Sequence, residues 1–192
     1  MRIKYNAPTV LTFAFISAAV LVLSQTFFHS LTEMWFLVPG KGGFSISRFR
    51  NWVNLFTHVI GHANWMHLVS NFSFILLIGP ILEEIYGSVP LLVMIVITAL
   101  VTGALNVLFF TTGLLGASGV VFMMILLASF TNFSKGEIPL TFILVLVLYL
   151  GKELFNSFGD SGSVNTSEFA HIVGGFIGSL FGFFRGGTSP RR

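Results

Sequence analysis

Long apolar runs separated by short polar breaks dominate this chain. Six runs reach the roughly 17–25 residues that a helix needs to cross a bilayer: about 8–28, 64–84, 90–110, 117–134, 138–157 and 168–185. The breaks after the second run are short, and no stretch has linker or low-complexity composition. The pattern predicts an all-α membrane protein of six transmembrane helices, a single membrane domain over residues 1–192. Only the connection between the first two runs, about 29–63, is long. It carries Trp35, Phe36, Leu37, Pro39, Gly40, Gly42, Gly43 and Trp52, too aromatic for a floppy tether and too broken for a span. It is expected to lie as an interfacial loop between helices one and two, in the headgroup layer that suits Trp and Tyr rings.

Composition points the same way. Of the 192 residues, 54% are hydrophobic and 9% charged, against about 45–50% and about 25% in a soluble domain. So few charges cannot cover a water-facing surface, and the 23 Phe residues are cheap to place in hydrocarbon. The absence of cysteine removes disulfides, thiol nucleophiles and thiolate metal sites. The net charge of +3 rests on residues near the chain ends and loops, which reads as a topology signal and not as a nucleic-acid surface.

With an even number of spans, Arg2, Lys4, Lys135, Arg185, Arg191 and Arg192 fall on one side, and Lys41, Arg48 and Arg50 on the other. The positive-inside rule makes the first side cytoplasmic, so both termini are expected there. Taken alone, Met1-Arg2-Ile3-Lys4 and the run behind it also fit a signal peptide; the charge pattern favours a retained helix.

Polar side chains inside a span are expensive and each needs a reason. Spans two, four and six all run from outside to inside in this topology. His67 and Asn71 lie near the outer start of span two, Ser118 at the outer start of span four, and His171 near the outer start of span six. Three helices thus place polar groups at one depth. Ser118 sits in Gly116-Ala117-Ser118-Gly119, where small neighbours leave the hydroxyl uncrowded. At a helix start its amide is free to meet an anion. A serine hydroxyl becomes a nucleophile when a base accepts its proton, and His171 is the candidate base. His67 and Asn71, four residues apart, share one helix face and can donate to the oxyanion of an acyl-transfer intermediate beside the Ser118 amide.

Blander readings stand beside these. A Ser among glycines is commonly a packing residue, and Asn71 can be helix–helix glue. Glu83 and Glu84 read as ties of span two to the cytoplasmic side, and Glu168 as a solvated boundary residue. Metal binding is the sharper rival, because His58, His62 and His67 are spaced four and five apart. A zinc protease wants Glu directly after the first His, where Val59 stands, and no Asp or Glu follows before Glu83. No metal is expected.

At these residues the sequence resembles the rhomboid intramembrane serine proteases, in their compact six-span bacterial GlpG-like form. The family's Gly-x-Ser-Gly matches Gly116-Ala117-Ser118-Gly119, and its Ala-His-x-x-Gly-x-x-x-Gly matches Ala170-His171, Gly174 and Gly178. His67 and Asn71 match the His and Asn of its second span, His62 an additional family histidine, and Glu83 and Gly87 a Glu-x-x-x-Gly at that span's inner end. The resemblance runs from about residue 50 to 186. It implies a rhomboid-like bundle and a Ser118–His171 dyad without an acidic third member or cofactor. It also implies an oxyanion hole of His67, Asn71 and the Ser118 amide, supported by His62, Gly116, Gly119, Phe122, Gly174 and Gly178. The implied substrates are transmembrane proteins cut in or beside their helices after a small side chain, with water as co-substrate and lipid as surroundings. The implied location is the bacterial inner (plasma) membrane, with the site open to the outer (periplasmic) side.

Three residues depart from the family pattern. Val53 and Asn54 stand where the family has a Trp-Arg pair, which leaves open how the first outer loop is anchored; Arg50 and Trp52 are nearby. Phe122 stands where many relatives have Tyr, a ring able to stack on His171 without a hydroxyl. Span five and the loop Gly159-Asp160-Ser161-Gly162-Ser163-Val164-Asn165-Thr166 are the candidates for a lateral gate and a lid. Gly174, Gly178 and Gly182 form a ladder on span six, suited to close packing against span four. The rival functions are a catalytically silent membrane binder, which the joint presence of Ser118 and His171 argues against, and a transporter. A transporter wants inverted repeats that this chain does not display.

Overall fold

The computed structural model describes residues 4–130, the helical positions Leu140, Ile143, Leu144 and Val147, and residues 166–185. Within these the chain is helical: α1 (Pro8–Thr26), α2 (Leu31–Trp35), α3 (Phe49–Thr57), α4 (Trp65–Tyr86), α5 (Ser88–Phe109), α6 (Ser118–Phe130) and α7 (Thr166–Arg185). Three of them, α1, α4 and α5, are long and apolar enough to cross a membrane, and Ser118–Ser129 and Phe169–Phe184 are shorter apolar helices. Most of the fifth expected span, and the loop from 159 to 165, lie outside the described residues.

The helix ends follow from local chemistry. Pro8 opens α1, where a missing N–H costs nothing. The next amides have no intrahelical partner, and a carboxylate supplies one from far along the chain. Glu83 Oε1 accepts from Thr9 N (2.8 Å) and Oε2 from Val10 N (3.0 Å). Glu83 is 5% exposed and caps α1 with both oxygens, in the favourable field of a helix N-terminus. At α4 the cap is Asn64, whose side chain accepts from His67 N (2.9 Å). Gly87, at φ +89°, turns the chain directly from α4 into α5, a backbone conformation open to glycine.

Helix α6 lies at the centre. Val120, Val121, Met123, Met124, Ile125, Leu126 and Leu127 are all buried, which fits a helix apolar on every side. Helices α1, α4, α5 and α7 contribute to the same core, and α7 is the most extensive neighbour of α6. The outward faces remain apolar: Phe15, Leu77, Val89, Leu108 and Phe183 are exposed. An outer surface of this kind belongs in lipid.

The long connection is folded, not slack. Helix α3 turns its polarity inside out, with Asn51, Asn54 and His58 buried while Phe49, Trp52 and Phe56 are exposed. The segment before α6 is pinned to it: Val38 and Leu114 exchange two backbone hydrogen bonds of 3.0 Å, an isolated antiparallel bridge. Asn106 Nδ2 on α5 donates to Thr112 O (3.1 Å) from the other side. The open question of loop anchoring has its answer at Asn54. Its Nδ2 donates to Leu37 O (2.7 Å) and Met34 O (3.3 Å), gathering the loop onto α3.

Candidate functional site

Ser118 is the first residue of α6, so its amide belongs to the first turn, where N–H groups lack an intrahelical acceptor. Gly116, two residues earlier, has φ +110°. That conformation is strained for any side chain, and space forbids one as well. A Cβ there would fall 2.5 Å from His67 Nε2, 2.6 Å from His67 Cε1 and 3.7 Å from Asn71 Nδ2. The two α4 side chains therefore face the backbone that leads into Ser118, as their four-residue spacing predicts. Ser118, His67 and His171 are half-buried, whereas Asn71 is 6% exposed.

The orientation of Asn71 is set by His62. His62 Nδ1 faces Ile60 O at 3.0 Å; a carbonyl only accepts, so Nδ1 carries the proton. Nε2 is then the bare nitrogen, and Asn71 Nδ2 donates to it at 3.2 Å. One N–H of the Asn71 amide is thereby committed to His62. Burial pushes the His62 pKa down to about 4, against the raising effect of the Ile60 bond and with a further lowering by His67. The ring is thus neutral across the physiological range and keeps this tautomer. The His62 and His67 rings meet edge to face at 5.0 Å.

His171 comes from α7, and backbone packing decides where. A Cβ on Gly174 would collide with the Gly119 carbonyl, and one on Gly178 with the Met123 carbonyl. The paired steps 119 to 123 and 174 to 178 show α6 and α7 running parallel in direct backbone contact. A Cβ on Gly119 would in turn lie 3.3 Å from Ala170 O, so the neighbours of Ser118 and His171 touch. Phe122, one turn after Ser118, stacks on His171 with ring centroids 4.2 Å apart and planes 5° apart.

The structure therefore brings His67 and Asn71, with His62 behind Asn71, to Gly116 just ahead of Ser118, and sets His171 on Phe122; Gly119, Gly174 and Gly178 lie along the contact of α6 with α7. The histidines of the rival metal reading do not gather as ligands. His58 Nε2 bonds to Ala99 O at 3.1 Å and His62 uses both nitrogens. No group of three potential ligands occurs among the described residues. The Glu168 side chain lies outside those described. Asn54 and Glu83 were not legible as an anchor and a cap, because their partners are backbone groups distant in sequence.

Residues 50–187 match the Rhomboid domain family model. The chain is 26% identical over 131 residues to the protein named Rhomboid protease GlpG of Haemophilus influenzae, covering 66% of this chain and 66% of that one. It is 24% identical over 190 residues to the protein of the same name from Pectobacterium atrosepticum, covering 96% of this chain and 66% of the relative. The chain thus spans 66% of the length of each of these relatives.

Proposed function

Because the chain belongs to the rhomboid family, we propose that it is an intramembrane serine endopeptidase that cleaves transmembrane proteins in or beside their membrane helices. The observation that carries this reading is the convergence of His67 and Asn71 on the Gly116 backbone just ahead of Ser118, with His171 brought beside α6 on the Phe122 ring.

In the proposed reaction Ser118 Oγ attacks the scissile carbonyl while His171 accepts its proton. The carbonyl oxygen becomes an oxyanion and is stabilised by the Ser118 amide, His67 and the uncommitted N–H of Asn71. Collapse of the tetrahedral intermediate expels the amine, which takes the proton from His171 and leaves an acyl-enzyme. Water, deprotonated by His171, then hydrolyses the ester and restores Ser118. No acidic third residue is assigned; Phe122 orients the His171 ring by packing.

The proposed setting is the bacterial inner membrane, with six spans, both termini cytoplasmic and the site open to the periplasm. The exposed Phe49, Trp52 and Phe56 of α3 support placing the first loop in the headgroup layer. Substrate enters sideways from lipid, with span five and the loop over 159–166 as gate and lid. A crosslink between spans two and five that left cleavage untouched would count heavily against that gate.

The deciding experiment is cleavage of a reporter transmembrane substrate by purified protein in detergent, wild type against Ser118→Ala. Cutting by wild type alone, with both proteins folded, establishes the serine protease. Equal cutting by both rejects it.

A further inference from the structure

One histidine of the run has no part in the proposed chemistry, yet it is almost wholly enclosed: His58, at the C-terminal cap of α3, is 2% exposed. Its ring nitrogen Nε2 lies 3.1 Å from Ala99 O on α5. A carbonyl accepts only, so Nε2 carries the hydrogen and donates it. The main chain of the same residue makes a second bond: the His58 carbonyl accepts from the Gly116 amide at 2.9 Å. The contact between α3 and α5 is tight on this side, since a Cβ on Gly103 would lie 3.1 Å from Leu55 O. The segment ahead of Ser118 is held at Leu114 by the bridge to Val38, and its next backbone hydrogen bond is the one from Gly116 to His58.

We infer that His58 is a positioning residue for the nucleophile: its buried ring locks the end of α3 to α5, so that its carbonyl holds Gly116 and sets the backbone entering Ser118. Each histidine of the run then serves the same few residues by a different part: His58 through its carbonyl, His62 by orienting Asn71, and His67 through its ring. Gly116 is where the constraint is useful. It has to keep φ +110° and lie flat against His67, and a small rotation there would move the Ser118 amide and hydroxyl together. The ring donor is essential to the device; an apolar ring of similar size would fill the space without the bond to Ala99.

The role rests on the serine-protease reading above, and the test separates the two. Full-length His58→Phe and His58→Gln are compared with wild type in detergent; Gln can place an amide N–H near the position of Nε2. The readouts are phosphonylation of Ser118 by a fluorophosphonate probe per folded molecule, kcat and KM on a transmembrane reporter, and hydrogen exchange of the Gly116 amide. For folded His58→Phe we expect labelling and kcat to fall by about tenfold to a hundredfold with KM nearly unchanged, as misplacement of reacting groups does, and Gly116 exchange to accelerate. His58→Gln should retain most activity and protection. Wild-type labelling in folded His58→Phe overturns the role, as does a Gln variant that folds yet is as slow as Phe. Where the Phe variant does not fold, the Gln variant decides by itself: active and protected supports the role, folded and slow rejects it. Wild type that never labels at Ser118 sinks the protease reading, and Gly116 exchange still decides whether His58 holds that amide.

Discussion

The imidazole of His171 lies flat on the ring of Phe122, 4.2 Å between centroids and 5° from parallel. The two residues sit on helices about fifty positions apart, and the stack constrains the plane of the proposed base. Offset ring pairs of this kind contribute about 0.5–1.5 kcal/mol beyond their buried area. Phe122→Ala should therefore lower kcat by about twofold to tenfold, while Phe122→Tyr stays near wild type. Steady-state cleavage by the two variants checks this; an Ala variant as fast as wild type would remove orientation by Phe122 from the account.

His67→Ala and Asn71→Ala should each reduce turnover by about 10²–10³, the range for loss of one oxyanion donor. His62→Ala should act through Asn71, since it removes the acceptor that holds the amide. The double variant of His62 and Asn71 is then expected to be hardly worse than Asn71→Ala alone. Fully additive losses would separate the two residues.

Close packing of α6 on α7 leaves no room at Gly174 or Gly178. Gly178→Val should cost about 1–3 kcal/mol or more through overpacking, lowering both the melting temperature and activity. A normal melting curve with normal cleavage would contradict the backbone contact.

Glu83 is expected to matter far from the site. Glu83→Ala strips both acceptors from the first turn of α1 and should cost about 1–2 kcal/mol. Per folded molecule, kcat should hardly change. Thermal melting alongside the reporter assay separates the two effects; a folded variant with collapsed kcat would mean that α1 couples to the site.

Stability should fall in mild acid. Burial lowers the pKa of His58 and of His62 from 6.5 to about 4. The unfolded chain therefore takes up protons first as pH drops below 6.5, and the contribution of these two rings to stability declines down to about pH 4. Each ring accounts for at most about 3 kcal/mol of that change. Melting temperatures from pH 8 to 4 should be flat at the top and descend below 6.5, less steeply in His58→Gln. Identical slopes for that variant and wild type would show that His58 does not titrate in this way.

Much of the scaffold was legible because membrane helices are specified locally. The run expected at 8–28 is α1 at Pro8–Thr26, and those at 64–84 and 90–110 are α4 and α5 with ends moved by about two residues. An apolar stretch of bilayer length has few alternatives to a helix, since lipid offers the backbone no partners. A common depth for Ser118, His171, His67 and Asn71 was an expectation from span direction and position; the contacts seen are those of His67 and Asn71 with Gly116 and of Phe122 with His171.

Tertiary structure alone decided how these segments are held together. Glu83 meets the amides of Thr9 and Val10, Asn54 the carbonyls of Met34 and Leu37, and His58 the amide of Gly116. In each bond one partner is a backbone group, which every residue carries, so the sequence offers no mark of where the contact will fall. The glycines of α7 mark a close approach, but only packing selects Gly119 and Met123 as the residues approached. Apolar length and span direction are properties of a segment, whereas hydrogen-bond partners and helix register exist only once segments have packed.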